Sequence, residues 1–183
     1  MYKIALTGGI GSGKTYLSKH FIQMGIPVFY ADDEAKKLYK EQEFKESLCQ
    51  HFGAEILLSD GEIDLRKLAG IVFTDEQRLQ ELNRLVHPRV MKMFEQWAEA
   101  QHAPTVMMES AIIFEGNLSA HFDKIIVTYA PLDLRIRRIQ SRNPELTKEE
   151  ILQRIARQMP QEEKCRRADL VICTGETFRE IGE

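Results

Sequence analysis

The chain has few cysteines, no long apolar run and no excess of positive charge. Its 183 residues include only Cys49, Cys165 and Cys173, and no two of them have the spacing of a metal site or a redox pair. This usage is typical of a reducing compartment, and we predict a cytoplasmic location. No apolar run reaches the roughly 18 residues that a membrane span requires. An apolar strand begins almost at the first residue, so we expect no signal peptide.

The charge and the missing motifs exclude further classes of protein. The net charge is -3, which gives a general nucleic-acid partner no electrostatic support. The tetrapeptide N-K-x-D, which reads guanine in switch GTPases, is absent. The length of the chain fits one α/β domain with insertions better than two independent domains.

One complete motif is present near the start of the chain. Residues 8–15, GGIGSGKT, match G-x-x-x-x-G-K-[ST] between an apolar strand and a helical pattern, which is the context this phosphate-binding loop needs. Glycine lets the backbone turn its N–H groups toward phosphate, and the helix dipole acts on the same place. We expect Lys14 to reach the β- and γ-phosphates and Thr15 to ligate Mg²⁺. The predicted ATP-binding residues are Gly11, Ser12, Gly13, Lys14, Thr15 and Tyr16. The alternative is a glycine-rich turn without a ligand.

The loop motif and the alternation of strands and helices together predict a P-loop NTPase fold. Five short β-rich runs, at 3–6, 27–30, 105–108, 124–128 and 170–172, alternate with helical patterns. We therefore predict a three-layer α/β/α architecture around a five-stranded parallel sheet. The predicted nucleotide-binding core is 1–31 with 90–134 and 168–183. A helical insertion is predicted at 32–89, and an arginine-rich lid at 135–167. A short helix is predicted at the end of the chain.

Two helical regions interrupt the strand pattern. In the first, the insertion, Thr74 to Gln77 is a candidate capping box, and Pro88 is expected to kink or break the helix that follows. This region is either a ligand-binding element or a helical cap without a role. In the second, another capping box is predicted at Thr147 to Glu150. Its arginines suit a lid over phosphates, although most are expected on a solvated face: Arg135, Arg137, Arg138, Arg142, Arg154, Arg157, Arg166 and Arg167.

Acidic residues near strand ends are the candidates for chemistry. Asp32 follows the second strand, which we expect beside the P-loop strand, and it can position or deprotonate an attacking hydroxyl. The alternative for Asp32 or Asp33 is a helix N-cap. Glu109 ends the third strand and can hold Mg²⁺ through water. Glu115 can bind acceptor hydroxyls, whereas a lone histidine such as His87 is more often structural.

Four segments beyond the motif carry a resemblance to one family. They are the opening TGGIGSGKT at 7–15, Ala31-Asp32 with Ala35, part of the insertion from Gly61 to Pro88, and the tail from Gln158 to Ile172. The positions of the insertion that match the family pattern are Gly61, Ile63-Asp64, Leu68, Val72-Phe73 and Val86-His87-Pro88. Together these segments span nearly the whole chain in the right order, and the chain resembles the dephospho-CoA kinases.

The resemblance implies a reaction and a set of roles. The reaction is the phosphorylation of the ribose 3′-hydroxyl of dephospho-CoA by ATP, which gives CoA and ADP in the last step of coenzyme A biosynthesis. It implies Mg²⁺ as cofactor, ATP and dephospho-CoA as partners, and neither nucleic acid nor membrane. Arg138 and Arg142 match the lid arginines of the family and would stabilise the transferring group, together with Lys14 and Asp32. The insertion 32–89 would bind dephospho-CoA through Asp32, His87 and Arg89, with Glu115 as a further contact.

The chain departs from the family pattern at three places. Tyr30 stands where the family has aspartate, Ala111 where it has proline, and Cys173-Thr174-Gly175-Glu176 where it has D-N-x-G near the adenine. Two other functions stay open from the residues alone. One is another small-molecule or nucleoside kinase with the same loop, and the other is a regulatory module that binds ATP without transferring phosphate.

Overall fold

One six-stranded sheet forms the centre of the computed structural model, which describes residues 1–175 and 178–181. Its order is β2-β3-β1-β4-β5-β6, with β1 to β5 parallel and β6 antiparallel to β5. The strands are β1 Tyr2–Gly8, β2 Val28–Tyr30, β3 Thr105–Glu109, β4 Lys124–Tyr129, β5 Leu170–Thr174 and β6 Phe178–Ile181.

The central strands are apolar on both faces, as parallel strands between two helix layers must be. Leu6, Val106, Met107 and Val127 are fully buried. All five predicted strands are present, and the predicted α/β class with a parallel sheet is confirmed. The short helix predicted at the end of the chain is wrong, because Phe178–Ile181 pairs with β5 as a strand. A β5 edge without this partner would leave backbone N–H and C=O groups unpaired.

The prediction that the second strand lies beside the P-loop strand is also wrong. Strand β2 does not lie beside β1, because β3 pairs with both of them. The register places Glu109 opposite Leu6 on one side of β1, and Thr128 opposite Gly8 on the other. The carboxyl end of β1 is therefore flanked by a carboxylate and a hydroxyl.

Eight α-helices are assigned in the described residues. They are α1 Lys14–Gln23, α2 Ala31–Leu38, α3 Gln42–Phe52, α4 Leu65–Val72, α5 Glu76–Glu99, α6 Leu132–Arg142, α7 Lys148–Ala156 and α8 Gln161–Arg167. Among these residues no helix has the length and hydropathy that a membrane crossing needs. All three cysteines carry free thiols.

The chain divides into two compact units, residues 1–30 with 98–183 and residues 31–97. The first unit contains the sheet. The second is helical, and its core is built from apolar side chains on α2 to α5: Leu38, Phe44, Leu48, Phe52, Leu68, Val72 and Phe94. The separate bounds of core, insertion and lid given above stay a prediction.

Helix α5 has a different N-cap from the predicted one, and it is not broken at Pro88. Thr74 does not cap it, because the Thr74 hydroxyl donates back to Gly70 and Ile71 at 3.1 Å. Asp75 caps it instead, accepting from the N–H of Gln77 at 2.8 Å. Pro88 does not break it, and the helix runs without interruption from Glu76 to Glu99.

The segment between β4 and β5, where the lid was predicted, forms the three helices α6, α7 and α8. Helix α6 begins at Leu132, before the predicted start of the lid. The predicted capping box at Thr147 is confirmed, since its side chain accepts from Glu150 N–H and the Glu150 carboxylate accepts from Thr147 N–H. The Glu150 carboxylate also accepts from the Thr147 hydroxyl at 3.0 Å, and the bonds that it accepts from Thr147 N–H and from this hydroxyl lower the pKa of Glu150 from its ordinary value.

Asp169 fixes the edge between β4 and β5. Its carboxylate accepts from Lys124 Nζ and from Ile125 N–H, both at 2.8 Å. The bond from Lys124, and then that from Ile125, lower the pKa of Asp169 from its ordinary value. A carboxyl group with a lowered pKa stabilises the fold above its unfolded pKa of about 3.9, and this contribution is lost as pH falls through the folded pKa.

We predict that Asp169→Asn lowers the free energy of unfolding at pH 7 by about 1 kcal/mol, the usual worth of such a hydrogen bond. The deficit should shrink as the pH falls below about 4, because the wild-type carboxylate is then protonated too. Urea unfolding at several pH values measures this, with Asp133→Asn, at an exposed position on α6, as the control. A deficit that stays constant from pH 7 to 3 would contradict the assignment.

Candidate active site

The candidate site is the loop after β1, at the carboxyl edge of the sheet, whose course depends on two glycines. Gly11 and Gly13 have φ of 79° and 95°, in the left-handed region that favours glycine. Space requires them as well. A Cβ on Gly11 would lie 2.8 Å from the Arg135 carbonyl oxygen, and one on Gly13 would lie 2.7 Å from Thr174 Oγ1. Both the backbone dihedral angle and the packing therefore require glycine at positions 11 and 13.

Two loop amides have no protein acceptor in the described residues. Within the described chain the N–H groups of Gly11 and Gly13 donate to nothing. The amide of Ser12 closes a turn onto Gly9 O at 3.1 Å, and that of Ile10 donates to Gln158 Oε1 at 2.8 Å. Free N–H groups at the start of a helix form an anion-binding concavity. The loop can hold phosphate groups.

The predicted nucleotide-binding side chains differ in their surroundings. Lys14 Nζ donates to Gly8 O at 3.0 Å, which holds the amine at the start of the loop. Ser12 Oγ is buried against Thr128 Oγ1 at 2.6 Å, so only its backbone is available to a ligand. Tyr16 is exposed on the first turn of α1, with its ring edge-on to His20.

Thr15 and Glu109 form an oxygen pair beside the loop. The Thr15 hydroxyl donates to Glu109 Oε1 at 3.1 Å, and Glu109 is 9% exposed. The second oxygen, Glu109 Oε2, is buried without a hydrogen-bond partner in the described part of the chain. An unpaired buried carboxylate oxygen next to a hydroxyl fits a hard divalent cation, which prefers oxygen ligands.

Three carbonyls of the loop accept hydrogen bonds from side chains for which the sequence predicted no such contact. Arg135 Nε donates to Ile10 O at 2.9 Å, Arg138 lies 3.4 Å from Gly11 O, and the Thr174 hydroxyl donates to Ser12 O. Arg138 also donates to Thr174, to its hydroxyl at 2.9 Å and its carbonyl at 2.6 Å. Thr174 thus supports the loop where the family pattern has an adenine-side segment.

The lid arginines fall into two groups. Arg135 is buried and Arg138 half-buried, while the other arginines named above are exposed, as expected for a solvated face. Burial, and then the charge of Arg142, lower the pKa of Arg138. Arg142 ends α6 and is exposed. Of the two predicted catalytic arginines, Arg138 is therefore anchored to the loop and Arg142 points to solvent.

Glu115 is part of a buried ion pair. Its Oε1 lies 2.7 Å from Nζ of Lys164, a side chain that is 0% exposed, and it also accepts from Met159 N–H at 2.9 Å. Lys164 donates in addition to Ala111 O at 2.6 Å. Glu115 Oε2 is buried with no partner among the described residues. The pair ties the segment after β3 to α8.

The remaining predicted site residues belong to the helical unit. Asp32 occupies the first turn of α2, where a carboxylate interacts favourably with the helix dipole, and the helix already begins at Ala31. His87 is half-buried within α5. Arg89 lies over the Phe44 ring, 5.0 Å from its centre, and donates to Leu85 O at 2.9 Å.

The geometry and the sequence both match a known family. A sequence profile of the family described as dephospho-CoA kinase matches residues 2–179. The chain belongs to the dephospho-CoA kinase family. It is 39% identical over 172 residues to a dephospho-CoA kinase of Bacteroides fragilis, a match that covers 93% of this chain and 83% of the relative.

Solved structures agree with the family assignment. A crystal structure from Thermus thermophilus superposes with a TM-score of 0.85 at 35% identity, covering 94% of this chain and 88% of that one. A dephospho-CoA kinase from Campylobacter jejuni gives 0.64 at 25% identity, covering 96% and 89%. Together these matches confirm the predicted family, the kinase class and the predicted function.

Tyr30 occupies the place of an aspartate in the pattern of the dephospho-CoA kinases. Its hydroxyl lies 3.1 Å from Ser18 Oγ, which donates to Thr15 O at 3.1 Å. Ser18 is fully buried. In this chain the tyrosine therefore supports the first turn of α1, a role that its position in the pattern did not indicate.

We predict that Lys164→Met lowers the free energy of unfolding by about 3 kcal/mol, because it leaves the Glu115 carboxylate without its buried counter-charge. The double variant Glu115→Gln with Lys164→Met should lose clearly less than the sum of the two single variants, since both remove the same pair. Urea unfolding of the four proteins measures the coupling. Additive losses would mean that the two side chains do not stabilise each other.

Proposed function

We propose that the chain transfers the γ-phosphoryl group of ATP to the ribose 3′-hydroxyl of dephospho-CoA, which gives CoA and ADP in the last step of coenzyme A biosynthesis. The observation that carries the proposal is the loop itself. Free amides, Lys14 and the Thr15–Glu109 pair meet at the carboxyl edge of a parallel sheet, where α/β proteins bind ligands. The family match across residues 2–179 supports dephospho-CoA as the acceptor.

The donor nucleotide is proposed to bind along the loop and the first turn of α1. The backbone of Gly11 to Tyr16 receives the phosphates, and Lys14 leaves Gly8 O to offset charge on the β- and γ-phosphates. The free amides of Gly11 and Gly13 support this assignment. Their dipoles are fixed before the nucleotide arrives, so little reorganisation is needed as charge develops.

Mg²⁺ is proposed to accompany ATP, with Thr15 as a direct ligand and Glu109 acting through water. When bound, the ion neutralises phosphate charge during transfer. The support is the unpaired Glu109 Oε2 next to the Thr15 hydroxyl. In the residues that the structure describes, no His, Cys, Asp and Glu side chains gather into a metal cluster. A magnesium ion held by one or two protein oxygens and substrate phosphates does not need such a cluster.

The acceptor is proposed to contact Asp32, His87, Arg89 and Glu115. Asp32 orients or deprotonates the 3′-hydroxyl, the role that a carboxylate near the acceptor has in phosphoryl transfer. Glu115 Oε2 is buried without a partner in the described chain, and we propose that it accepts from an acceptor hydroxyl once the bound acceptor gives access to it. The roles of His87 and Arg89 come from their position in the insertion of the family pattern.

Arg142 and Arg138 are proposed to act on the transferring group from the lid. Arg142 is exposed at the end of α6, which suits a side chain that reaches the phosphoryl group on closure. Arg138 is held by Thr174 and therefore acts from a fixed position. We further propose a cytoplasmic location, which the three free thiols support.

Product analysis tests the function directly. The protein is incubated with ATP, Mg²⁺ and dephospho-CoA, and the product is examined by phosphorus NMR for a new monophosphate at the ribose 3′ position. Nucleosides and nucleoside monophosphates serve as alternative acceptors. ADP that forms only with dephospho-CoA, together with a 3′-phosphate, is the expected result. ADP formation that is independent of the acceptor would refute the proposal.

We predict that Lys14→Ala and Asp32→Ala each lower kcat/KM by more than about 10²-fold without unfolding the protein, because both act on charge in the transition state. Steady-state kinetics with dephospho-CoA measure the loss. Lys19→Ala and Asp33→Ala are matched controls on the same helices, at exposed positions. Turnover of Asp32→Ala close to the wild-type value would remove Asp32 from the mechanism.

We predict that Arg142→Ala lowers kcat at least about tenfold while the Kd of ATP changes less than threefold, because its charge acts mainly in the transition state. Steady-state kinetics and calorimetric titration with ATP measure the two quantities. Arg154→Ala, at an exposed position on α7, is the control. Equal losses in kcat and in ATP affinity would show that Arg142 only anchors the nucleotide.

A further inference from the structure

Arg135 is a buried cation without an anionic partner of its own. It lies in the first turns of α6 and is 5% exposed. Nε donates to Ile10 O at 2.9 Å, and within the described part of the chain no carboxylate forms an ion pair with the guanidinium. Burial lowers the pKa of Arg135, and the charges of Glu162 and Tyr129 oppose that shift. A buried charge is costly unless another group compensates it.

The guanidinium is packed directly against the phosphate-binding loop. A Cβ on Gly9 would lie 2.5 Å from one terminal guanidinium nitrogen of Arg135 and 2.9 Å from its Cζ. On the other side, a Cβ on Gly11 would meet the Arg135 backbone oxygen at 2.8 Å. Glycine at these two positions is what allows the arginine to approach. The guanidinium charge is therefore held on the side of the loop toward which the Ile10 carbonyl points, which we call the back of the loop.

The bond to Ile10 O has a consequence for the next amide. In a trans peptide the C=O and N–H point in opposite directions. Because Ile10 O faces Arg135, the N–H of Gly11 faces away from α6, and it has no protein acceptor in the described residues. A cation on the carbonyl withdraws charge from the peptide group and makes its N–H a stronger donor.

The two neighbouring carbonyls do not carry an equivalent buried charge. Gly11 O lies 3.4 Å from Arg138, whose guanidinium is half-buried and bonded mainly to Thr174. Ser12 O accepts from the neutral hydroxyl of Thr174. Arg135 is therefore the cation most deeply buried against the loop.

We propose that Arg135 is a positioning residue of the phosphate site, whose buried charge behind the loop orients and polarises the Gly11 amide and attracts the polyphosphate without touching it. The ligand class is a di- or triphosphate chain. The proposal rests on the proposed function only in that a nucleotide occupies the loop, and it makes no use of the acceptor.

Binding of inorganic tripolyphosphate tests the proposal without any acceptor or adenine. Calorimetric titration compares the wild-type protein with Arg135→Gln, Arg135→Lys and the control Arg137→Gln, which removes an exposed charge from the same helix. Arg135→Gln should weaken tripolyphosphate binding about tenfold or more, because a unit charge in a medium of effective dielectric about 20 acts over several ångströms. Arg135→Lys should recover most of the loss, and Arg137→Gln should stay within about twofold. Adenosine, an uncharged probe, should bind all four proteins alike.

A purely structural role gives a different pattern. Wild-type affinity of Arg135→Gln for tripolyphosphate would overturn the proposal, as would an equal loss in the glutamine and lysine variants accompanied by a loss of adenosine binding. Thermal unfolding without ligand shows whether each variant folds.

If the glutamine variant does not fold, Arg135→His replaces it, because its charge can be switched on a folded protein. Between pH 8 and pH 5.5 its affinity for tripolyphosphate should rise several-fold more than that of the wild type and of Arg137→His. An equal pH dependence of the three proteins would overturn the proposal. Failure to phosphorylate dephospho-CoA would leave all of these binding results unchanged, so the two proposals fail separately.

Discussion

The phosphate site depends on one constraint, which is that the loop after β1 must keep the Gly11 and Gly13 amides free while its carbonyls are bonded to other parts of the chain. The amides of Gly11 and Gly13 are left without protein acceptors in the described chain, while the carbonyls of Ile10, Gly11 and Ser12 meet side chains of α6 and β5. Without those donors the carbonyls would be buried unpaired, and the loop could relax toward an ordinary turn. The free amides are thus maintained by bonds made on the opposite side of the backbone.

The sheet supplies the other half of the phosphate site. Since β3 lies between β2 and β1, Glu109 reaches the edge next to the loop and accepts from Thr15, while Thr128 on β4 fixes Ser12 from the other side. The arrangement places a phosphate cradle and an oxygen pair suited to a cation side by side at the carboxyl edge of the sheet. Rigid support is what phosphoryl transfer needs, because its catalysis is mainly positioning and electrostatic stabilisation.

Local signals in the sequence were sufficient for much of the fold. The loop motif, the five parallel strands and the capping box at Thr147 were predicted because each is determined by residues close together in the chain. The strand order was not, since the pairing of β3 with β1 depends on contacts distant in sequence. Pro88 was expected to kink or break its helix, and the helix runs through it without a break. The roles of Arg135 and Thr174 were missed because a side chain that bonds a loop carbonyl leaves no spacing pattern.

The decisive measurement is a crystal structure of the complex with Mg²⁺ and a non-hydrolysable ATP analogue. We expect the β- and γ-phosphate oxygens within hydrogen-bond distance of the Gly11 and Gly13 amides, with the Arg135 guanidinium still bonded to Ile10 O. Phosphates bound away from these amides, or an Arg135 guanidinium that leaves Ile10 O to contact them, would contradict it.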